Sequence, residues 1–247
     1  MSPAEPDHPD QLRPEELEAK GRVAAVVFHF FIQRLARAVF GAYFRCFTRG
    51  RRNLPPSGAV IIAPTHRSNL DTPMVGASAR RPLRYFAKSG LFRGPITTWI
   101  VVVMGGFPVR RDMVDRSALK AALAVLEAGQ PLVVFPEGER KSGTRIHPLL
   151  DGAAWLAAKA QVPVVPVAIG GTERAMGIGV RMPRPRAVRL VWGEPLAPPA
   201  VDDRGRISRD GLRAYSEELR EVLQNMFDDV QRRLGIPVWT PGDPEAE

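Results

Sequence analysis

From residue 59 onward, short apolar runs alternate with segments of helical spacing, and no other feature of the chain restricts its fold so strongly. AVIIAP (59–64) is apolar throughout, as a strand covered on both faces must be. ALKAALAVLEA follows Ser117, a capping residue type, and ends against Gly129, which suits the C′ position of a helix. PLVVFP (131–136) reads as the next strand and GAAWLAAKA (152–160) as the next helix, with VPVVPVAI (162–169) and AVRLVW (187–192) as further strands. Two prolines within 162–169 suggest an edge or irregular strand. After Ser208, the residues Leu212, Tyr215, Leu219, Val222, Met226 and Val230 keep helical spacing up to Gly235. Strands and helices in alternation over short connections predict an α/β fold, a largely parallel sheet flanked by helices.

Charge is distributed unevenly around this pattern. The net charge is +9, yet residues 112–247 are near balance, with 19 acids against 18 bases. Residues 23–111 hold 14 Arg or Lys and a single acid, Asp71. A field of that sign attracts nucleic acid, anionic lipid or phosphorylated small molecules, and composition does not choose among them. Residues 1–22 are acidic and proline-containing and read as a disordered tail. No secretory signal pattern opens the chain. The single cysteine, Cys46, forms no intrachain disulfide and belongs to no zinc-binding cluster, so no metal is expected.

Residues 23–47 are strongly apolar but carry arginines. Phe31, Leu35, Val39 and Tyr43 recur every four residues, while Arg34, Arg37 and Arg45 lie towards another face. The uncharged run, residues 23–33, is too short to span a bilayer. Such an amphipathic helix suits a membrane interface, and it equally suits docking on the protein's own core. The organisation expected is a tail at 1–22, an N-terminal helix within 23–50, one α/β domain over 51–235 and a C-terminal tail at 236–247.

Two strand ends carry the chemistry. THRSNLD (65–71) places His66 five residues before Asp71, just past the strand at 59–64. In open α/β sheets reactive side chains gather beyond the carboxyl ends of strands. A neutral imidazole takes a proton from an alcohol more readily when a carboxylate holds its second nitrogen. The heptapeptide alone is also compatible with a loop histidine beside a helix-capping aspartate. FPEGERKS (135–142) presents Glu137 and Arg140 after a second strand, where a guanidinium can grip phosphate and a carboxylate can bind a hydroxyl. GGFPVRRD (105–112) adds Arg110 and Arg111, and YFAKSG adds Lys88. No G-x-S-x-G elbow is present and Cys46 lies in the apolar segment, so a base acting on a substrate hydroxyl is favoured over a covalent enzyme intermediate.

THRSNLD, GGFPVRR, FPEGERKS and VPVVPV resemble, in order and spacing, the four sequence blocks of glycerolipid acyltransferases. The likeness covers roughly residues 40–200 and is greatest to the 1-acyl-glycerol-3-phosphate (lysophosphatidate) acyltransferases. It implies transfer of a fatty acyl group from acyl-CoA or acyl-carrier protein to lysophosphatidic acid, giving phosphatidic acid, with no cofactor beyond that thioester. By the resemblance His66 is the general base and Asp71 its orienting partner. Arg111, Glu137, Gly138 and Arg140 would bind the glycerol phosphate, with Lys88 a further phosphate contact. It also implies that the N-terminal helix sits on the cytoplasmic face of the cell membrane, as a peripheral or monotopic attachment. Thr65 stands where the family usually has Asn, and Glu139 where it usually has Thr. The alternatives are an enzyme acylating another lysolipid or glycolipid, and a basic membrane- or nucleic-acid-binding module without catalysis. No recognition-helix, aromatic RNA-binding or Walker pattern supports a nucleic-acid partner.

Overall fold

A computed structural model describes residues 22–88, 105–109 and 116–240. Its first half runs α1 (Arg22–Phe44), β1 (Phe47–Arg49), a 3-10 turn (Arg51–Asn53), β2 (Val60–Pro64), α2 (Asp71–Ser78), β3 (Arg84–Lys88) and β4 (Gly106–Val109). Its second half runs α3 (Arg116–Glu127), β5 (Pro131–Val133), α4 (Gly152–Ala160), β6 (Val164–Gly170), α5 (Thr172–Met176), β7 (Arg189–Trp192) and α6 (Arg209–Arg233). The expected tail at 1–22 lies outside the described residues except for Arg22, as do residues 241–247 of the C-terminal tail.

The seven strands form one sheet in the order β1-β7-β6-β2-β5-β3-β4. Every pairing is parallel except β6 with β7. The sheet is largely parallel and flanked by helices, as the alternation requires. Side chains along β2 alternate between two apolar layers. Ile61 and Ala63 of β2 face Leu126, Leu156, Leu219, Leu223 and Phe227 from α3, α4 and α6. Val60 and Ile62 face Phe44 of α1, Met74 and Val75 of α2, and Trp192. All five residues of β2 are buried, which explains its unbroken apolar run.

Local signals hold where they are chemically explicit. Gln130 N donates to Val125 O and Gly129 N to Leu126 O, with Gly129 at φ +72°, which is the Schellman ending of α3. Ser208 caps α6 by accepting from Gly211 N at 3.0 Å. Ser117 lies inside α3 rather than before it.

The expectation for 162–169 is corrected: β6 is not an edge strand. It lies between β2 and β7, and all seven of its residues are buried. Pro166 fits because it falls in a gap of the β6–β7 ladder, between the Val167–Trp192 pair and the Val164–Leu196 bridge. Its carbonyl accepts from Gly193 N at 2.8 Å, and its missing N–H leaves no ladder bond unmade.

Helix α1 packs against α2, but not through its apolar stripe. Gln33 is buried and Arg37 half-buried against α2, whereas Phe31 (64% exposed), Leu35, Val39 and Tyr43 face outward. Phe40 and Phe44, beside that stripe, do pack on the core, so the helix docks on the protein through one flank of its apolar face and leaves the other exposed. Among the described residues no helix is long and apolar enough to cross a membrane. Beyond α1, burial pushes the Cys46 thiol up to about 11, more than a hydrogen bond with Thr48 pulls it down. From 9.0 to about 11 is two pH units, so the thiolate fraction at pH 8 drops about 100-fold. Alkylation by iodoacetamide at pH 8 is therefore expected to be about 100-fold slower in the folded protein than in urea, by thiol-labelling kinetics.

Candidate active site

Strand order brings the two chemical loops together. β2 and β5 are parallel neighbours, so THRSNLD and FPEGERKS leave the same edge of the sheet side by side. The chain turns sharply after Thr65, whose hydroxyl extends the β2–β6 ladder by accepting from Ile169 N at 3.0 Å. A threonine thus does at this position what a hydrogen-bonding Asn side chain could also do.

Asp71 opens α2, and its carboxylate folds back over the turn. Oδ2 accepts from Arg67 N at 2.7 Å, from Ser68 N at 2.6 Å and from the His66 ring. The His66 Nδ1 to Asp71 Oδ2 distance is 3.1 Å, with Asp71 fully buried and the His66 side chain 16% exposed. A carboxylate only accepts here, so Nδ1 is the donor in this contact, which leaves Nε2 turned away from Asp71. The other Asp71 oxygen, Oδ1, is buried and has no hydrogen-bond partner among the described residues. Phe135 lies parallel under the imidazole, with ring centroids 3.9 Å apart and planes inclined by 25°. Hydrogen bond and stacking together fix the ring in two directions.

Glu137 is placed differently from a direct ligand of substrate. It is 4% exposed, and its Oε1 accepts from Arg67 Nη1 at 2.7 Å and from His66 N at 3.3 Å. Its Oε2 accepts from His147 N at 3.4 Å. Arg67 is equally buried and also donates to His66 O, Gly143 O and Arg145 O, with its guanidinium 5.2 Å from the Phe227 ring centre. Lys141 N donates to His66 O at 2.9 Å. The two loops are thus laced into one unit around the peptide of His66.

The remaining expected residues divide in three ways. Gly138 is exposed at φ +76°, a backbone region that favours glycine, and sits at the tip of the FPEG turn. Arg140 is half-buried in the same loop and makes no ion pair among the described residues. Glu139 is exposed and paired with Lys141 at 2.7 Å, and this hydrogen bond holds its carboxyl below the usual range. Lys88 ends β3 on the same sheet edge, but only its backbone is described. Arg110 and Arg111 lie outside the described residues; β4, which precedes them, ends on that edge as well. Sequence reasoning missed Arg67 and Phe135. An aromatic ring opening the FPEG turn offers a weak signal for Phe135, and nothing local distinguishes Arg67 from a solvated arginine.

A largely parallel α/β sheet thus carries a histidine held by a buried carboxylate just beyond a central strand. The acyltransferase family profile matches residues 45–170, half of the chain and all of this site, and the chain belongs to that family. It is 32% identical over 157 residues to the chloroplastic 1-acyl-sn-glycerol-3-phosphate acyltransferase BAT2 of Brassica napus, covering 62% of this chain and 45% of the relative. It is 28% identical over 184 residues to the 1-acyl-sn-glycerol-3-phosphate acyltransferase of Bacillus subtilis, covering 73% and 88%. The crystal structure of the lysophosphatidate acyltransferase PlsC from Thermotoga maritima superimposes with a TM-score of 0.71 at 26% identity, over 90% of this chain and 85% of that one. The chain spans about half the length of the plant and algal relatives it matches.

Proposed function

We propose that the protein transfers a fatty acyl group from an acyl thioester, carried by coenzyme A or acyl-carrier protein, to the free hydroxyl of lysophosphatidic acid. The observation that carries this reading is the His66–Asp71 contact, held by two backbone N–H groups at the end of a central strand. The relatives' names and the order of the four sequence blocks support the same acceptor.

In this reading His66 Nε2 takes the proton of the acceptor hydroxyl as that oxygen attacks the thioester carbonyl. Asp71 stabilises the imidazolium that forms. The tetrahedral intermediate collapses with cleavage of the carbon–sulfur bond, and the departing thiolate receives the proton back from His66. The acyl group passes directly between substrates. Arg140, with Lys88 and Arg111 as further candidates, would bind the phosphate of the acceptor, and Gly138 would let it approach the loop backbone. Glu137 would act indirectly, by holding Arg67 and the peptide of His66. Incubation with a panel of lysolipids, followed by mass spectrometry of the lipid products, tests the acceptor. Phosphatidic acid is expected as the dominant product; preferential acylation of a lysolipid lacking the terminal phosphate would overturn the assignment.

The protein would work docked peripherally on the cytoplasmic face of the membrane. Support comes from the outward stripe Phe31, Leu35, Val39 and Tyr43. Ile178 and Met182 (77% exposed) lie in a nearby loop, tied to that helix by the bond from Tyr43 Oη to Pro183 O at 3.0 Å. Arg34, Arg45, Arg181, Arg184 and Arg186 supply charge for anionic lipid. Leu35→Asp and Val39→Asp are each expected to weaken binding to anionic vesicles roughly tenfold, by flotation or sedimentation. Unchanged partitioning would contradict the docking surface.

A further inference from the structure

Helix α2 is a poor helix by sequence. Its eight residues, DTPMVGAS, include Thr, Pro, Val, Gly and Ser, and two turns alone are marginal in water. A Cβ at Gly76 would meet Tyr85 Oη at 2.6 Å, so a larger residue there would have to displace that side chain. Yet the first residue of this helix is Asp71, whose carboxylate must stay within hydrogen-bond reach of His66. Something outside the helix must hold it.

The last carbonyls of α2 account for that. A helix leaves its final four C=O groups without intrahelical donors, and they form the negative end of its dipole. Val75 O is taken by Ala79 N at 3.0 Å and Ser78 Oγ at 2.9 Å. Gly76 O accepts from Gln33 Nε2 at 2.8 Å, and Ala79 O from the same amide at 3.0 Å. Arg37 donates through Nε to Ala77 O and through Nη2 to Ala79 O. Arg51 Nε donates to Ser78 O at 2.6 Å. Every carbonyl at this end is therefore satisfied, and three of the donors come from α1 and the turn that follows β1. Burial, then the neighbouring Arg51 and Arg34 cations, hold Arg37 below its ordinary range, so the carbonyls act as the counter-charge in a stretch with no acid but Asp71.

We propose that Gln33 and Arg37, supported by Arg51, are positioning residues for the His66–Asp71 pair. The polar face of α1 clamps the far end of the helix that carries Asp71, while its opposite face meets the lipid. Membrane attachment and dyad geometry then belong to one mechanical unit. This rests on the general-base reading of His66, though not on the identity of the acceptor.

The test compares wild type with Gln33→Leu, Arg37→Met, their double variant and Arg37→Lys, which keeps a cation and donors at the same carbonyls. The spectroscopic readout is the downfield Nδ1–H resonance of His66, recorded by nuclear magnetic resonance without substrate, with His66→Gln as assignment control. The kinetic readout is kcat and KM for palmitoyl-CoA with lysophosphatidic acid. In the double variant the resonance is expected to broaden or vanish and kcat to fall about 10–100-fold, with KM and vesicle binding within about twofold. Arg37→Lys should keep kcat within about threefold of wild type. If the double variant fails to fold, the two single variants carry the same expectations at smaller size. A retained resonance with wild-type kcat overturns the proposal, as does a fall in kcat with the resonance unchanged. Absence of the resonance from wild type overturns it too, because the dyad itself would then be missing. A wild type that shows the resonance but does not acylate lysophosphatidic acid refutes only the acceptor.

Discussion

Replacing Arg67 by methionine is expected to lower stability by about 3–5 kcal/mol, because it strands the buried carboxylate of Glu137. In a chain of this size that corresponds to a fall in Tm of roughly 6–20 °C, read by differential scanning calorimetry. Arg67 is 1% exposed and anchors both loops through Glu137, Gly143, Arg145 and the peptide of His66. The charge pair, rather than the volume of the arginine, is the source of the loss. The double variant Arg67→Met with Glu137→Gln should therefore regain a good part of it, since a glutamine oxygen can still accept from His66 N. If the double variant is as unstable as the sum of the singles, the ion pair is not what holds these loops together.

Asp71→Asn separates charge from geometry at the site. The oxygen of Asp71 that accepts from Arg67 N, Ser68 N and His66 Nδ1 is a single atom, Oδ2, whereas Oδ1 has no partner among the described residues. An asparagine can set its carbonyl oxygen at the Oδ2 position and its amide at the Oδ1 position, keeping the turn. What it loses is the negative charge that, in the proposed mechanism, stabilises the imidazolium. The expected result is a folded protein with kcat reduced about 10²–10⁴-fold. Asp71→Ala should differ by also losing stability, at about 1–3 kcal/mol for each buried donor left unpaired. Comparable activity in Asp71→Asn and wild type would deny the carboxylate its electrostatic role. Kinetics and thermal unfolding of the three proteins side by side make the distinction.

What the sequence disclosed, and what it concealed, follows the range of the interactions involved. The strands at 59–64 and 187–192 and the helix at 152–160 show in their own apolar patterns, and the Gly129 and Ser208 helix boundaries rest on contacts within a few residues, so these elements are legible. The His66–Asp71 pair was legible for the same reason: its turn is closed by backbone groups three and four residues from the carboxylate. The place of β6 in the sheet was not, because Pro166 is tolerated only through a ladder gap that β7 creates. Arg67 was invisible because its partner, Glu137, lies 70 residues away. Glu137 was recognised as part of the site from its motif, but its inward direction depends on that same distant arginine. The periodicity of α1 marked an apolar face correctly and left its direction open, since only the tertiary contacts of Gln33 and Arg37 decide which face turns inward.

In the proposed reaction His66 removes the proton from an acceptor hydroxyl during transfer from a thioester. Thiol release from palmitoyl-CoA, followed with and without lysophosphatidic acid in wild type and His66→Ala, tests it most directly. Acceptor-dependent release in wild type, lowered about 10²–10⁴-fold in His66→Ala with the fold intact, is the predicted result. Release at the wild-type rate in His66→Ala would contradict it.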